Sequence, residues 1–311
     1  MGEFRDASRF NKRVLEGVLE FSREHDPFSS LPAVFCPELV GRYDVKRGLL
    51  CMLVNMQDRN MGSGRKRNRE RLHILLYGEP GTGKTIPLDY LSREWGAVYI
   101  SANPSSASLK GDARRKDRGV QIFSSETGRV VCIDEFELME DTDTLRDVME
   151  IGKFTLTKGG HHEEYDAQCS VVCAANDITK LSPAVLSRFD LIYGFDEPTY
   201  DESVEIARNL IEIEEDPSSS EITKDFLKEH IGISSDYNPR IRESAEVLSQ
   251  LELHFRKSRK GKTGRWISSV FRISRAIAKI RLNDWGVEEV KCALKMKSYS
   301  DSVLARALGY E

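Results

Sequence analysis

The segment HILLYGEPGTGKT (residues 73–85) constrains this chain more than any other stretch. A short apolar run leads directly into a turn with three glycines and a proline, and the turn ends in a lysine and a hydroxyl. Gly78, Gly83, Lys84 and Thr85 fit the pattern G-x-x-x-x-G-K-T. Between a strand and a helix, that pattern is a phosphate-binding loop. Glycines let successive backbone N–H groups curl around an anion, and the helix that follows points its positive N-terminus at the same place. Gly78, Glu79, Pro80, Gly81, Thr82, Gly83, Lys84 and Thr85 are therefore the expected nucleotide-binding residues. Lys84 is expected on the β- and γ-phosphates and the Thr85 hydroxyl on Mg²⁺. Pro87, in the first turn of the helix, lacks a donor that this turn does not need.

A second stretch points the same way. VVCIDE (130–135) is an apolar strand ending in two acids. Downstream of a phosphate loop, in a chain of alternating strands and helices, such a strand supplies Asp134 to hold Mg²⁺ and Glu135 to polarise the attacking water. ATP and Mg²⁺ are the expected ligands, GTP being the alternative nucleotide, and Lys84, Asp134 and Glu135 are expected to be catalytic. Asn176 closes the apolar run VVCAAN (171–176). A polar residue at the tip of a buried strand has two readings: an N-cap for the next segment, or a sensor that orients the water beside Glu135.

The alternation behind these motifs predicts an α/β domain. Strands are expected at 72–77, 97–101, 128–134, 154–157, 165–176 and 191–195, with helices at 84–95 and 142–152. This argues for a mostly parallel sheet flanked by helices. Residues 1–26 read as helical, 26–41 as a proline-broken loop, and 45–56 as a further amphipathic helix. After residue 200 helical periodicity dominates. The expected domains are thus 1–36 as an N-terminal helix and lead-in, 37–200 as the α/β core, and 201–311 as a helical lobe.

Composition narrows the class. A net charge of −4 excludes a uniformly basic nucleic-acid binder but not a local basic stripe. No apolar run is long enough to span a membrane, and the charged start MGEFRDASRFNKR has no signal-peptide core. The cysteines at 36, 51, 132, 169, 173 and 292 form no CxxC pair and read as buried thiols of an intracellular protein. A zinc site from His161, His162, Cys169 and Cys173 is the alternative, but its spacing matches no common structural zinc pattern.

Several segments in order and spacing resemble the AAA+ motor of the minichromosome maintenance (MCM) replicative helicases. They are CPELVGRYDVKRGLL (36–50), GEPGTGKT (78–85), VVCIDEF (130–136), DVMEIGKFTLTKGG (147–160), QCSVVCAAN (168–176), LSPAVLSRFDLIY (181–193), NPRIRESAEVLSQLELHFRKSR (238–259) and RWISSVFRISRAIAKIRL (265–282). The resemblance covers roughly residues 30–297. It implies an AAA+ core with a helical lid, ATP-dependent DNA helicase activity in DNA replication, and a ring, a homo-hexamer or a related one, around single-stranded DNA. It implies an intracellular location, nuclear in a eukaryote. By resemblance, Arg188 is an arginine finger acting on the neighbouring subunit's γ-phosphate, a surface ion pair with Asp190 being the alternative. Arg265 is similar to the second-sensor arginine, with Arg256, Arg259 and Lys260 close by. Lys158 is similar to the lysine at the tip of a hairpin that touches the DNA backbone, where a solvated hairpin tip is the other reading.

Departures from the pattern are equally visible. The family's helix-2 insert is shortened here to 105–123, though Arg114, Arg115 and Lys116, with Arg118, keep a basic cluster for DNA. Glu163 and Glu164 lie beside the hairpin lysine. The family's N-terminal oligonucleotide-binding fold, zinc module and winged-helix tail have no counterpart in these residues, as in a motor cut from a larger protein or in a minimal relative. RKRNRER (65–71) reads as a solvated linker, with DNA contact or a nuclear address as alternatives. Two rival functions stand beside the motor: a nucleotide-binding assembly subunit that hydrolyses slowly or not at all, and a protein remodeller, for which an aromatic pore residue at 158–162 is missing.

Overall fold

A computed structural model describes residues 2–56, 70–101, 109, 111–112, 117–119, 130–139, 142–158, 161–215, 223–258 and 262–310. In chain order the strands are β1 (Glu3–Phe4), β2 (Ile74–Gly78), β3 (Val98–Ile100), β4 (Gly111–Asp112), β5 (Asp117–Arg118), β6 (Val130–Ile133), β7 (Lys153–Lys158), β8 (His161–Asp166), β9 (Ser170–Ala175), β10 (Leu191–Phe195) and β11 (Tyr237–Asn238). The helices are α1 (Lys12–Glu24), α2 (Pro27–Ser30), α3 (Tyr43–Val54), α4 (Thr85–Trp95), α5 (Asp143–Ile151), α6 (Pro183–Leu186), α7 (Tyr200–Glu215), α8 (Lys224–Asp236), α9 (Ser244–Ser258), α10 (Gly264–Arg281) and α11 (Val287–Ala307). They fall into two compact units, Arg59–Thr199 with Ser300–Glu311, and Met1–Asp58 with Tyr200–Tyr299.

The first unit is α/β. Its five-stranded sheet has the order β10–β2–β9–β6–β3, and every neighbouring pair is parallel. Strands buried on both faces must be apolar throughout rather than alternating. Accordingly β6 and β9 are buried along their whole length. Leu75, Val131, Ile133, Val171, Cys173 and Ile192 from the sheet pack with Leu145, Val148 and Met149 of α5. Each such side chain contributes about 1.5–3 kcal/mol by leaving water. The end of α11 returns to this unit, where Val303 joins the core and Ser300 Oγ accepts the Ile192 N–H at 2.7 Å.

One expected strand is two. The run 165–176 divides into the end of β8 and all of β9, because residues 167–169 carry the chain from the β7–β8 hairpin into the sheet. The base of that hairpin is clamped from below. The Ala167 N–H donates to Gly152 O at 2.8 Å. Arg71, only 7% exposed, donates through Nη1 to Val148 O at 3.1 Å and to Ala167 O at 3.3 Å. Gly152 ends α5 at φ +67, and a Cβ there would sit 2.5 Å from the Arg71 guanidinium. Arg71 is therefore a buried tie between carbonyls, not part of a solvated linker. Residues 65–69 lie outside the described residues.

The second unit is helical. In α10, Trp266, Val270, Ile273, Ile277 and Ile280 recur at helical spacing and are buried. α10 packs on α3 and α8, and α1 packs on α8. Thr263 starts α10 by accepting the Trp266 N–H at 3.2 Å. Past its end, Arg281 grips Asp26 with Nε at 2.9 Å and Nη2 at 3.1 Å, and reaches Glu289 with Nη1 at 2.9 Å. Residues 1–26 are not one helix: β1 pairs antiparallel with β11, and α1 begins only after Asn11, whose side chain accepts the Arg13 N–H at 2.9 Å. The expected loop 26–41 holds the short helix α2, capped by Asp26. A domain boundary at 36/37 would assign α3 to the α/β part, whereas α3 belongs to the helical unit. Among the described residues, no helix is long and apolar enough to cross a membrane.

Candidate nucleotide site

The parallel sheet brings the carboxyl ends of β2, β6 and β9 to one side, the place where open α/β sheets bind ligands. β2 ends at Gly78, directly opposite Phe195 of β10. A Cβ on Gly78 would lie 2.0 Å from Phe195 O, so the chain can turn off the sheet here only without a side chain. Gly81 sits at φ +81 in open space, where the glycine is needed for its conformation rather than for room. Glu79 O closes the loop by accepting from Thr82 Oγ1 at 2.8 Å and from Lys84 Nζ at 2.5 Å. α4 begins at Thr85, so its unpaired N–H groups face the loop.

Asp134, just past β6, is the hub. Its Oδ2 accepts from Thr85 Oγ1 at 3.0 Å and from Tyr99 Oη at 2.8 Å, and its Oδ1 accepts the Glu135 N–H at 3.0 Å. Thr85 spends its proton on Asp134, which leaves the hydroxyl lone pairs for a cation. A hydroxyl and a carboxylate joined at a phosphate loop are the hard oxygen donors Mg²⁺ takes, so the residues present fit that ion. Burial pushes the Tyr99 phenol up from its usual range, and its hydrogen bond to Asp134 adds to the shift. Lys84 is 6% exposed. Burial pulls its ammonium below the usual lysine range, against the opposing pull of Asp134, Glu137 and Glu79.

Glu135 is exposed and takes a left-handed backbone, φ 50 and ψ 44. For a side chain with a Cβ this costs about 1–2 kcal/mol, and strain of this kind collects at functional sites. Asn176 follows the last residue of β9. Its N–H donates to Glu137 Oε1 at 3.0 Å. The cap of the next turn is Asp177, whose side chain accepts the Thr179 N–H at 2.9 Å, so the Asn176 side chain is not needed for capping. Sequence reasoning passed over both Tyr99 and Glu137. Glu137 carried a faint signal, a third acid shortly after Asp134. Tyr99 looked like any strand aromatic.

Comparison with known proteins decides the family. The MCM P-loop domain matches residues 14–214. The chain belongs to the MCM family. It is 30% identical over 342 aligned positions to the DNA replication licensing factor mcm7 of Xenopus tropicalis, covering 98% of this chain and 47% of that protein. It is 29% identical to Mcm5 of Drosophila melanogaster, covering 85% and 42%, and 30% identical to MCM4 of Arabidopsis thaliana, covering 88% and 37%. The chain thus spans less than half the length of these curated relatives. An MCM P-loop domain is a nucleotide-binding ATPase domain, and the parallel sheet with its loop and acid accords with it.

The remaining candidate residues of this MCM domain fall on other elements. Arg188 follows α6 and forms an ion pair with Glu150 of α5. Asp190 is buried, its Oδ2 accepting the His73 N–H at 2.9 Å. Arg265 lies in the first turn of α10, in the helical unit. Lys158 is the last residue of β7, opposite His161 of β8. At the hairpin's base, Glu164 is engaged by Lys153 Nζ at 2.5 Å. Arg114, Arg115 and Lys116 lie outside the described residues. Cys169 and Cys173 are buried in the sheet unit.

Proposed function

We propose that the chain is the motor of an ATP-driven DNA translocase that works in DNA replication. The observation that carries this reading is the 3.0 Å hydrogen bond from Thr85 to Asp134, which ties the phosphate loop to the acid at the end of β6. The DNA and replication part is supported by the relatives, each named a DNA replication licensing factor.

The positions of the loop and of Asp134 support the roles at the nucleotide, and the MCM resemblance supports those of Arg188, Arg265 and the DNA-facing residues. Backbone N–H groups of 78–85 and Lys84 hold the β- and γ-phosphates. Thr85 and Asp134 hold Mg²⁺, which when bound neutralises charge on those phosphates. Glu135 takes the proton of the attacking water, and the Asn176 amide orients that water. Arg188 and Arg265 act on the nucleotide of the next subunit in a ring, a homo-hexamer or a related one. Lys158, with Arg114, Arg115 and Lys116, meets the phosphates of a single DNA strand in the central channel. The protein then works inside the cell, in the nucleus of a eukaryote.

The test is the steady-state ATPase rate against protein concentration, with and without single-stranded DNA. The motor reading expects a rate that climbs faster than linearly, is stimulated by DNA, and is lost in Lys84→Ala and in Arg188→Ala. ATP binding through Lys84 without hydrolysis at any concentration would overturn it in favour of an assembly subunit.

A further inference from the structure

Arg188 is read above as the group a subunit lends to its neighbour's nucleotide, and the inference here rests on that reading. Its guanidinium is not held out into solvent. The side chain is 11% exposed and pairs through Nη2 with Glu150 Oε2, a side chain that is 40% exposed. Glu150 lies in the last turn of α5, and Arg188 lies two residues past α6. Both supports are fixed by packing. α5 buries Leu145, Val148 and Met149, α6 buries Val185 and Leu186, and Phe189 is buried directly after Arg188.

Glu150 is locally misplaced for helix stability alone. A carboxylate near a helix C-terminus faces the negative end of the macrodipole, and the last turn of α5 holds no basic residue to offset it. One cation that answers it is Arg188, from beyond the end of α6. A guanidinium carries five N–H donors in a rigid fork. A carboxylate at one Nη engages a single edge of that fork, and the fork's planar geometry lets a guanidinium address a second acceptor from another edge. Fixing a long side chain before the reaction removes ordering that the transition state would otherwise have to supply.

We propose that Glu150 is the positioning residue for Arg188, presenting the guanidinium of its own subunit to the γ-phosphate bound by the next. Glu150 serves the neighbour's site and not its own. α5 passes through Gly152 into β7, the strand that ends at Lys158, so one helix carries both the anchor of Arg188 and the root of the hairpin.

Subunit mixing tests this. Glu150→Gln alone is expected to lower kcat on the order of 10-fold with little change in KM for ATP, because it misplaces a group used in the transition state. Lys84→Ala has a dead nucleotide loop but keeps the Glu150–Arg188 pair. Glu150→Gln keeps its own loop. An equimolar mixture of the two is therefore expected to hydrolyse ATP faster than the sum of the separate variants. Glu150→Gln mixed with Arg188→Ala is expected to recover nothing, since neither presents the guanidinium. A Glu150→Gln chain damaged in its own fold or its own site would gain nothing from Lys84→Ala, and that result overturns the proposal, as does a wild-type kcat in Glu150→Gln. The mixture of Lys84→Ala with Arg188→Ala is the control. If it stays inactive, the shared site itself is refuted, and the role of Glu150 falls with it.

Discussion

Two glycines of the same loop should respond to alanine by different mechanisms and to different degrees. At Gly78 the added methyl would stand 2.0 Å from Phe195 O, 2.8 Å from its carbonyl carbon and 2.9 Å from its Cβ. Non-bonded contacts under 3.0 Å are essentially never tolerated at a Cβ, so the strands must part by about 1 Å at the last rung of β2–β10. Phe195 is buried and cannot swing aside. Overpacking of this kind costs about 1–3 kcal/mol, and each ladder hydrogen bond opened in a buried sheet adds about 1 kcal/mol. With one ladder bond opened, Gly78→Ala is expected to destabilise the α/β unit by about 2–4 kcal/mol. At Gly81 nothing lies within 4 Å, and only the φ of +81 resists a side chain. That strain is about 1–2 kcal/mol, partly offset because alanine restricts the unfolded chain. Amide hydrogen exchange read on β2 and β10 isolates this unit from the helical one. Equal losses of protection in the two variants would refute the steric reasoning.

Two further outcomes concern a buried histidine and a strained acid. His230 donates from Nε2 to Ile280 O at 2.8 Å, and its Nδ1 is buried without a partner among the described residues. Burial pushes its pKa down from 6.5 to about 4. Between those two values the unfolded chain binds the proton and the folded chain does not. Stability is therefore full above pH 6.5 and falls by up to about 3 kcal/mol as the pH drops to 4. Urea midpoints across this window should fall more steeply for the native chain than for His230→Phe, and parallel slopes would exclude the histidine as the cause. For Glu135→Gly, relief of about 1 kcal/mol of left-handed strain should leave the thermal midpoint unchanged or raised while ATP hydrolysis drops at least about 100-fold. A midpoint several degrees lower would show that Glu135 holds the end of β6 by contacts rather than at a strain.

Much of the α/β unit was legible because its strands are buried on both faces. ILLYG, VVCI, SVVCAA and LIYGF could hardly be anything else beside a phosphate loop. The loop and the acid after β6 were legible for the same reason, since backbone chemistry at a strand end demands glycine and carboxylate. What stayed hidden depends on neighbours that sequence spacing does not reveal. Tyr99 reaches Asp134 only because β3 lies beside β6 in the sheet order, with Tyr99 opposite Cys132. Arg71 closes a basic run and looks solvated, yet the carbonyls it ties lie on residues 148 and 167. The break between β8 and β9 was masked because both segments have strand-like composition, and only the hairpin's own pairing separates them. Glu150 and Arg188 are far apart in the chain, and neither shows its partner in its local pattern.

Charge balance at the hub bears on why a single subunit would hydrolyse poorly under the proposed reading. Asp134, Glu135 and Glu137 cluster at and just beyond the end of β6. Lys84 answers them, already partly desolvated and in the field of Asp134, Glu137 and Glu79. A triphosphate adds several negative charges to this set. Loop N–H groups and a bound cation offset the ground-state charge, but charge on the γ-phosphoryl oxygens in the transition state calls for a further donor placed beforehand. Arg188 of the same chain is tied to Glu150 on α5. That this donor is Arg188 of a second copy rests on the resemblance of LSRFD (186–190, within 181–193) to the family's arginine finger, and on that reading hydrolysis should climb faster than protein concentration.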